Sequence, residues 1–343
     1  MQCGARRSQR SRPGAVPRHP ADQPASVEPV EQLRDRRWIE PQLPLAGEED
    51  FEIQLESLNQ WQLAWRRFKR HRLALIGSVA FGLIVLIAIV APILWPYDVT
   101  DIPGAKTYGG DAPGLAPLSR LFGTDFGGRS VLQQVLVGAR ISVEVGVFTM
   151  LIAASLGVAV GSIAGYFGGM IDGFLMRFVD LLLAIPFLFV ILVAARFFGG
   201  GDVVTLILIF GLLSWPGLAR LVRAMFLSLR EMDFVQAARA VGVSDLRIAF
   251  RHILPNALGP IVVSATLIMA NAIVLEAFVS FLNFGIRATD VSWGNALSNS
   301  QGYLLNGNWW WPFFPGMAIA ISVISVNFMG DGLRDALDPR ARE

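Results

Sequence analysis

An all-α membrane protein crossing the bilayer six times is the fold class this chain predicts, on three observations. Apolar residues fill 53% of its 343 positions and charged residues only 16%, with 23 Phe and 9 Trp, whereas soluble domains carry about 25% charged residues. Several windows stay apolar over the ~20 residues that a helix needs to cross a membrane. Arginines crowd some connectors between these windows and avoid others, which is how a chain of fixed orientation distributes its basic residues.

In chain order, residues 1–45 come first, with Pro13, Pro17, Pro20, Pro24 and Pro29 among many arginines. So few apolar side chains cannot offset chain entropy, and residues 1–50 are expected to be a disordered cytoplasmic segment. An overlong start assignment is the alternative. Over 51–72, Phe51, Leu55, Leu58, Trp61, Trp65 and Phe68 recur at intervals of three and four and lay one stripe along a helix. Arg66, Arg67, Lys69, Arg70 and Arg72 lie beside it, so we expect an amphipathic helix on the cytoplasmic membrane surface. The plainer alternative is a soluble helix packed on a partner.

Six spans are expected at 73–95, 141–164, 178–198, 203–222, 257–279 and 312–330. The first is followed by an extracytoplasmic loop, 96–140. The segment before the first span, the connector 223–256 and the tail 336–343 are arginine-bearing, while 280–311 holds only Arg287. Both termini are therefore expected inside. "GGGD" at 199–202 predicts a tight hairpin between the third and fourth spans. Gly157, Gly161 and Gly165, four apart, share one helix face and predict a close helix approach, in this chain or in a second subunit.

The absences bound the chemistry. The two lysines, Lys69 and Lys106, sit in no Gly-x-x-x-x-Gly-Lys phosphate loop. His19, His71 and His252 are scattered, with no His-Glu-x-x-His, and no Gly-x-Ser-x-Gly occurs. Cys3, the single cysteine, forms no internal disulfide or multi-cysteine metal site, and without a flanking apolar signal region no lipid anchor is expected there. No cofactor, metal or hydrolytic activity is expected of this chain.

Three acids lie in or beside spans, where charge is costly and faces a cavity or a partner. Glu144 is expected near an interface and solvated, and Asp180 paired locally with Arg177. Glu276 reads two ways, as a pathway residue beside Asn271 or as a structural hydrogen bond between helices.

The connector "FVQAARAVGVSDLRIAFRHILPN", 234–256, is charged and helix-forming between two apolar runs. Val235 to Val241 favours helix, and Gly242 stands where a helix stops in the left-handed conformation. Ser244 can cap a second helix to about Ile253, and Pro255 marks the start of the next span. Two helices about a glycine turn also describe a DNA-binding motif, but anchorage between two spans argues for docking on a soluble partner.

This string, with "FGTDFGGRS" at 122–130, "GYFGGMID" at 165–172, "EAFVSFLNFGI" at 276–286, "SWGNAL" at 292–297 and "GDGLRDALDP" at 330–339, resembles the C-type permease subunit of dipeptide, oligopeptide and nickel ABC importers over about residues 55–340. The resemblance implies a type I ABC-importer permease core over 141–335 with a cytoplasmic coupling helix, in a cell or inner membrane. It implies a second, B-type permease, two ATP-binding subunits that hold ATP and magnesium, and an extracytoplasmic binding protein, with no nucleic acid. Gln236, Ala237, Ala238, Gly242, Asp245, Leu254 and Pro255 would couple to the ATPases. Asp125, Arg129, Trp293 and Gly294 would shape the outer mouth. Two positions depart from the family: Gln236 replaces its usual Glu, and Ser130 follows Arg129 where the family has Asp. A proton- or sodium-coupled transporter would instead show internal repeats and interrupted spans; a nickel or other small-solute substrate remains open within the family.

Overall fold

The computed structural model describes residues 60–98, 110–115, 120–197, 201–287 and 289–337. All lie in one compact unit, Ser57–Glu343. The expected disordered segment, the first part of the amphipathic helix, "GGG" at 199–201 apart from Gly201, and most of the tail fall outside the described residues.

Helix α1 (Gln60–Arg70) ends one residue before α2 (Arg72–Leu94). His71 separates them: its Nδ1 accepts from the Ala74 N–H at 3.1 Å and caps α2. The next helix, α3 (Val131–Phe167), starts ten residues earlier than the expected span. Ser130 accounts for the difference, because its hydroxyl accepts from the Gln133 N–H and starts the helix while polar residues still follow. The expected 96–140 loop therefore ends at 130.

The third expected span, 178–198, is broken in two. Helices α4 (Gly169–Ala184) and α5 (Phe187–Phe197) meet at an 82° bend. Ile185 between them is extended (φ −81°, ψ 133°), as the ring of Pro186 requires of the preceding residue. Then α6 (Val203–Leu229) is capped by Asp202, whose carboxylate accepts from the Thr205 N–H at 3.2 Å. Among the described residues, five helices are long and apolar enough to cross a membrane, or six if the bent pair counts as one span.

Two short helices follow, α7 (Asp233–Ala240) and α8 (Asp245–Arg247), the second continuing through a π turn at Ile248–Ile253 into α9 (Leu254–Phe281). Pro255 thus lies within a continuous helix from Asp245 to Phe281. The wider π turn stands immediately before the proline, where an α-helical carbonyl would lose its donor. Ser244 is extended, but its hydroxyl makes no cap bond, contrary to expectation. Helices α10 (Trp293–Ser300) and α11 (Trp310–Leu337) complete the fold.

The interior is mainly apolar but holds several polar side chains, and the outer surface is apolar as well. Ser142, Thr149, Thr266, Glu276, Ser280, Ser292 and Ser322 are buried, while Leu73, Ile76, Val79, Leu83, Leu86, Ile89 and Ile93 line an exposed stripe of α2. Where lipid is as apolar as the side chains, helices associate through close packing and hydrogen bonds. The most extensive helix seam joins α3 to α6. A Cβ built on Gly161 would stand 2.5 Å from the Ala219 carbonyl oxygen, one on Gly165 2.6 Å from the Phe226 Cβ, and one on Gly157 2.9 Å from the Leu218 Cβ. The glycine stripe thus packs inside this chain.

Candidate functional site

The connector between α6 and α9 forms a built protrusion. Val235 and Ala238, one turn apart on α7, are buried with Ile248, Ala249 and Ile253 of the π turn and with Val222 and Phe226 of α6. Gly242 has φ +77°, and the Val243 and Gly242 N–H groups donate to the Ala238 and Arg239 carbonyls at 3.1 and 3.0 Å. That double closure is a Schellman ending, which favours glycine at the left-handed position. Nothing lies within 4 Å of a Cβ on Gly242, so strain rather than space restricts the position.

Two contacts outside the connector hold this unit. The Tyr166 hydroxyl at the end of α3 donates to the Asp245 carboxylate at 2.6 Å. Arg230 donates to the carbonyls of Gly165 and Tyr166 at 3.3 and 3.4 Å. Neither Tyr166 nor Arg230 was singled out by sequence reasoning, although Tyr166 lies in the "GYFGGMID" string. Gln236 is exposed and its amide donates to the Arg230 carbonyl at 3.3 Å. A glutamate there could not donate, so the departure from the family pattern has a local partner.

The exposed side of the unit carries both apolar and charged residues. Val241 is 80% exposed, Leu246 66% and Phe250 58%. Arg239, Arg247 and Arg251 are exposed beside them, as are Ala237, Gly242, Asp245 and Pro255; Ala238 is buried and Leu254 half-buried. Apolar side chains this open, on a backbone this constrained, are the kind of surface found at protein or membrane contacts.

Away from the connector lie the other expected residues, of which Asp125, Trp293 and Gly294 are buried and Arg129 is partly exposed. Asp125 is 1% exposed. Its carboxylate accepts from the N–H groups of Gly127 and Arg129, from the Arg129 Nε at 2.7 Å and from the Gln134 amide at 3.1 Å. Those bonds close the 125–129 turn onto α3. Trp293 is buried with its indole N–H donating to the Val135 carbonyl at 2.8 Å. Gly294 is pressed against α9, where a Cβ would stand 2.7 Å from the Ala277 Cα. Sequence reasoning missed Gln134, which bonds Asp125 nine residues back, and Ser142, whose partner Glu276 lies 134 positions along the chain.

Glu276 is expected either as a pathway residue or in a structural hydrogen bond between helices. It is fully buried, accepting from the Ser142 hydroxyl of α3 at 2.8 Å and the Ser280 hydroxyl at 2.9 Å. The second reading, a hydrogen bond between helices, describes it. Asn271 on α9 is exposed, with no hydrogen-bond partner among the described residues. Asp180 pairs with Arg220 of α6 at 2.5 Å, not with Arg177, because α6 lies beside α4 and offers the guanidinium across the helix pair. Glu144, half-exposed, pairs with Arg140 at 3.0 Å.

Comparison with known proteins places the chain in a family. A family model described as "Binding-protein-dependent transport system inner membrane component" matches residues 157–343, and one described as "N-terminal TM domain of oligopeptide transport permease C" matches 59–117. The chain is 37% identical over 291 residues to the dipeptide transport system permease protein DppC of Bacillus subtilis, covering 84% of this chain and 89% of that one. It is 38% identical over 292 residues to the oligopeptide transport system permease protein OppC of Escherichia coli K12, covering 84% and 94%. Among solved structures, the inward-facing MetNI methionine ABC transporter shares the fold with a TM-score of 0.50 at 18% identity, covering 61% of this chain and 98% of that one. With a family model spanning more than half its length and relatives this similar almost end to end, the chain belongs to the inner-membrane components of binding-protein-dependent transport systems.

Proposed function

We propose that this chain is the permease subunit of an ATP-driven peptide importer and forms half of its translocation pathway. The observation that carries the reading is the connector unit, 230–253: a packed, bond-closed protrusion with exposed apolar side chains, continuous in helix with a span. A second, B-type permease would complete the pathway, two ATP-binding subunits would hydrolyse ATP, and an extracytoplasmic protein would deliver the peptide. Both termini and the connector would be cytoplasmic, in keeping with the arginines of 223–256. The relatives' dipeptide and oligopeptide names support the substrate class.

The mechanism follows from the continuity of Asp245–Phe281. At the usual rise this helix is about 55 Å long, longer than the bilayer is thick. An ATPase that displaced Val241, Leu246 and Phe250 would tilt a rigid rod whose far end is bonded through Glu276 to α3. Tyr166–Asp245 and the Arg230 bonds pass the same displacement to the near end of α3. Movement of one docking surface therefore reaches both ends of the α3–α9 pair without bending either helix.

The test is Gly242→Val. Valine at φ +77° costs on the order of 1 kcal/mol or more in local strain, tilting α7 without touching a span. In vesicles carrying all subunits, ATP-driven peptide uptake should fall at least about tenfold while the amount of membrane-inserted chain stays normal. Normal uptake at normal abundance would remove the coupling role, and saturable ATP binding by the isolated chain would remove the division of labour.

A further inference from the structure

Two arginines with no acid beside them share one cavity where apolar spans end. Arg196, in the last turn of α5, and Arg287, in the loop between α9 and α10, line a cavity of about 360 Å³ together with Asn283, Asn295, Ser298 and Asn299. No carboxylate is part of its lining. The acids nearest in sequence, Asp202 and Asp290, stand outside it, and the Asp202 carboxylate accepts from the N–H and hydroxyl of Thr205. Neither guanidinium has an ion pair or hydrogen bond among the described residues. The arginines of the 120–140 stretch, which α10 meets where Trp293 bonds Val135, are all matched. Arg120 pairs with Asp111 at 3.4 Å, Arg129 with Asp125 at 2.7 Å and Arg140 with Glu144 at 3.0 Å.

The cavity walls are fixed from within the chain. The Arg287 N–H donates to the Gly201 carbonyl at 3.2 Å. Gly201 has φ +104°, and a Cβ there would strike the Arg287 Cγ. The buried Asn295 amide donates to the Ile286, Arg287 and Asp290 carbonyls at 3.4, 2.8 and 2.8 Å. Asn283 accepts from the Ser298 hydroxyl at 3.2 Å. Backbone and amide bonds, not an acid, thus hold two like charges around one space. Their attraction for an anion is left unmatched within the described chain.

Chain direction and apolar length, rather than exposure, set the level of the cavity. Gly201 stands two residues before α6 and Asn283 two residues after α9, and both helices reach the connector at their other ends. Their continuous lengths, 27 residues for α6 and 37 for Asp245–Phe281, correspond to about 40 and 55 Å. The hydrocarbon layer is only roughly 30 Å thick. The apolar windows end at the same place: 178–198 and 257–279 stop beside the cavity and 203–222 starts there. That places it at the headgroup level, the layer of a membrane that carries phosphate.

We propose that Arg196 and Arg287 hold the phosphate of one membrane phospholipid in this cavity. The planar, permanently charged guanidinium suits a phosphate, and two of them outweigh the single charge of a phosphodiester. Val193 and Phe189, three and seven residues before Arg196, continue its face of α5 as an apolar track for an acyl chain. The inference needs only that α6 and α9 cross a membrane. It rests on neither the peptide substrate nor the docking of an ATPase.

The test is native mass spectrometry of the assembled transporter, purified in mild detergent and titrated with dioleoyl phosphatidylglycerol. The Arg196→Gln/Arg287→Gln variant should retain at least about fivefold less lipid than wild type at the same collision energy. Arg196→Lys/Arg287→Lys should recover most of the retention, which a merely structural role would not predict. If the double glutamine variant assembles poorly, Arg196→Gln alone should still lose at least about twofold. Equal retention in wild type and the glutamine variants would overturn the site. With both offered at equal concentration, retention of inorganic phosphate instead of the lipid would assign the cavity to the free ion and overturn the lipid. Failure of both glutamine variants to assemble with a second permease would give the arginines to that interface and overturn it as well. Unchanged lipid with loss of ATPase stimulation by the loaded binding protein would give them to a carboxylate of that protein. A wild-type complex that holds the lipid but takes up no peptide would fault the peptide reading alone.

Discussion

Helix α6 meets its two neighbours in opposite ways. Against α3 it lies in a dry seam: Gly157, Gly161 and Gly165 let the backbones approach until a single added Cβ would strike a carbonyl or a side-chain root. Against α4 it is joined by Asp172–Arg223 at 2.5 and 2.6 Å and by Asp180–Arg220, and α4 buries only Met176 and Val179. Close packing has no slack, because loss of a few tenths of an ångström forfeits much of the dispersion attraction. Ion pairs on long side chains accommodate movement. The difference separates a frame, α3 with α6 and α9, from an element held by charges at its open side.

The largest expected effect breaks the seam. Gly161→Leu must push α6 away from α3, and overpacking of this kind costs about 1–3 kcal/mol or more when backbone has to move. Folded chain recovered from membranes, read by size-exclusion chromatography, should drop several-fold. The same substitution at Gly173 of α4, where nothing lies within 4 Å, should leave recovery near wild type. Equal losses at the two glycines would erase the distinction between frame and open element.

A smaller loss is expected where the frame depends on hydrogen bonds. Glu276→Ala leaves the Ser142 and Ser280 hydroxyls without their acceptor in a sealed interior; an unsatisfied buried group costs about 1–3 kcal/mol. The thermal midpoint of the purified complex should fall, with Glu276→Gln recovering much of the loss because an amide still bonds both hydroxyls. An Ala variant as stable as wild type would mean that the far ends of α3 and α9 are tied by packing alone.

The smallest effect sharpens the reading of the α4 side. An ion pair facing water contributes about 0–1 kcal/mol, whereas an unpaired arginine left facing hydrocarbon is far more costly. Asp180→Asn should therefore shift the midpoint of the complex by only a degree or two. A collapse of the fold would show that the pair faces lipid, and α4 would then belong to the frame.

Much of this architecture was legible before any coordinates. Apolar length placed the spans, and Gly242 was recognisable as a helix stop because the conformation it adopts is a local property of a short string. The glycine stripe was legible as a close approach. The early start of α3 was written in Ser130, but Gln133, Gln134 and Arg140 masked it, since polarity near a helix end looks like a loop. Pro186 announced the break in the third span, yet a proline also sits unbroken inside α2, α6, α9 and α11. Local pattern alone does not tell a tolerated proline from one that ends a helix.

What the sequence determined by itself are quantities that sum over neighbours in the chain: which segments leave water, where a backbone turns left-handed, which helix faces carry small residues. Only the tertiary structure decided who meets whom. Asp180 bonds Arg220 across 40 positions and not Arg177 three away, Tyr166 holds Asp245 across 79, and Glu276 closes on Ser142 across 134. Such pairings depend on the angles and distances at which whole helices pack, and those angles are set by every side chain in the seam together. No single residue or period in the chain states them.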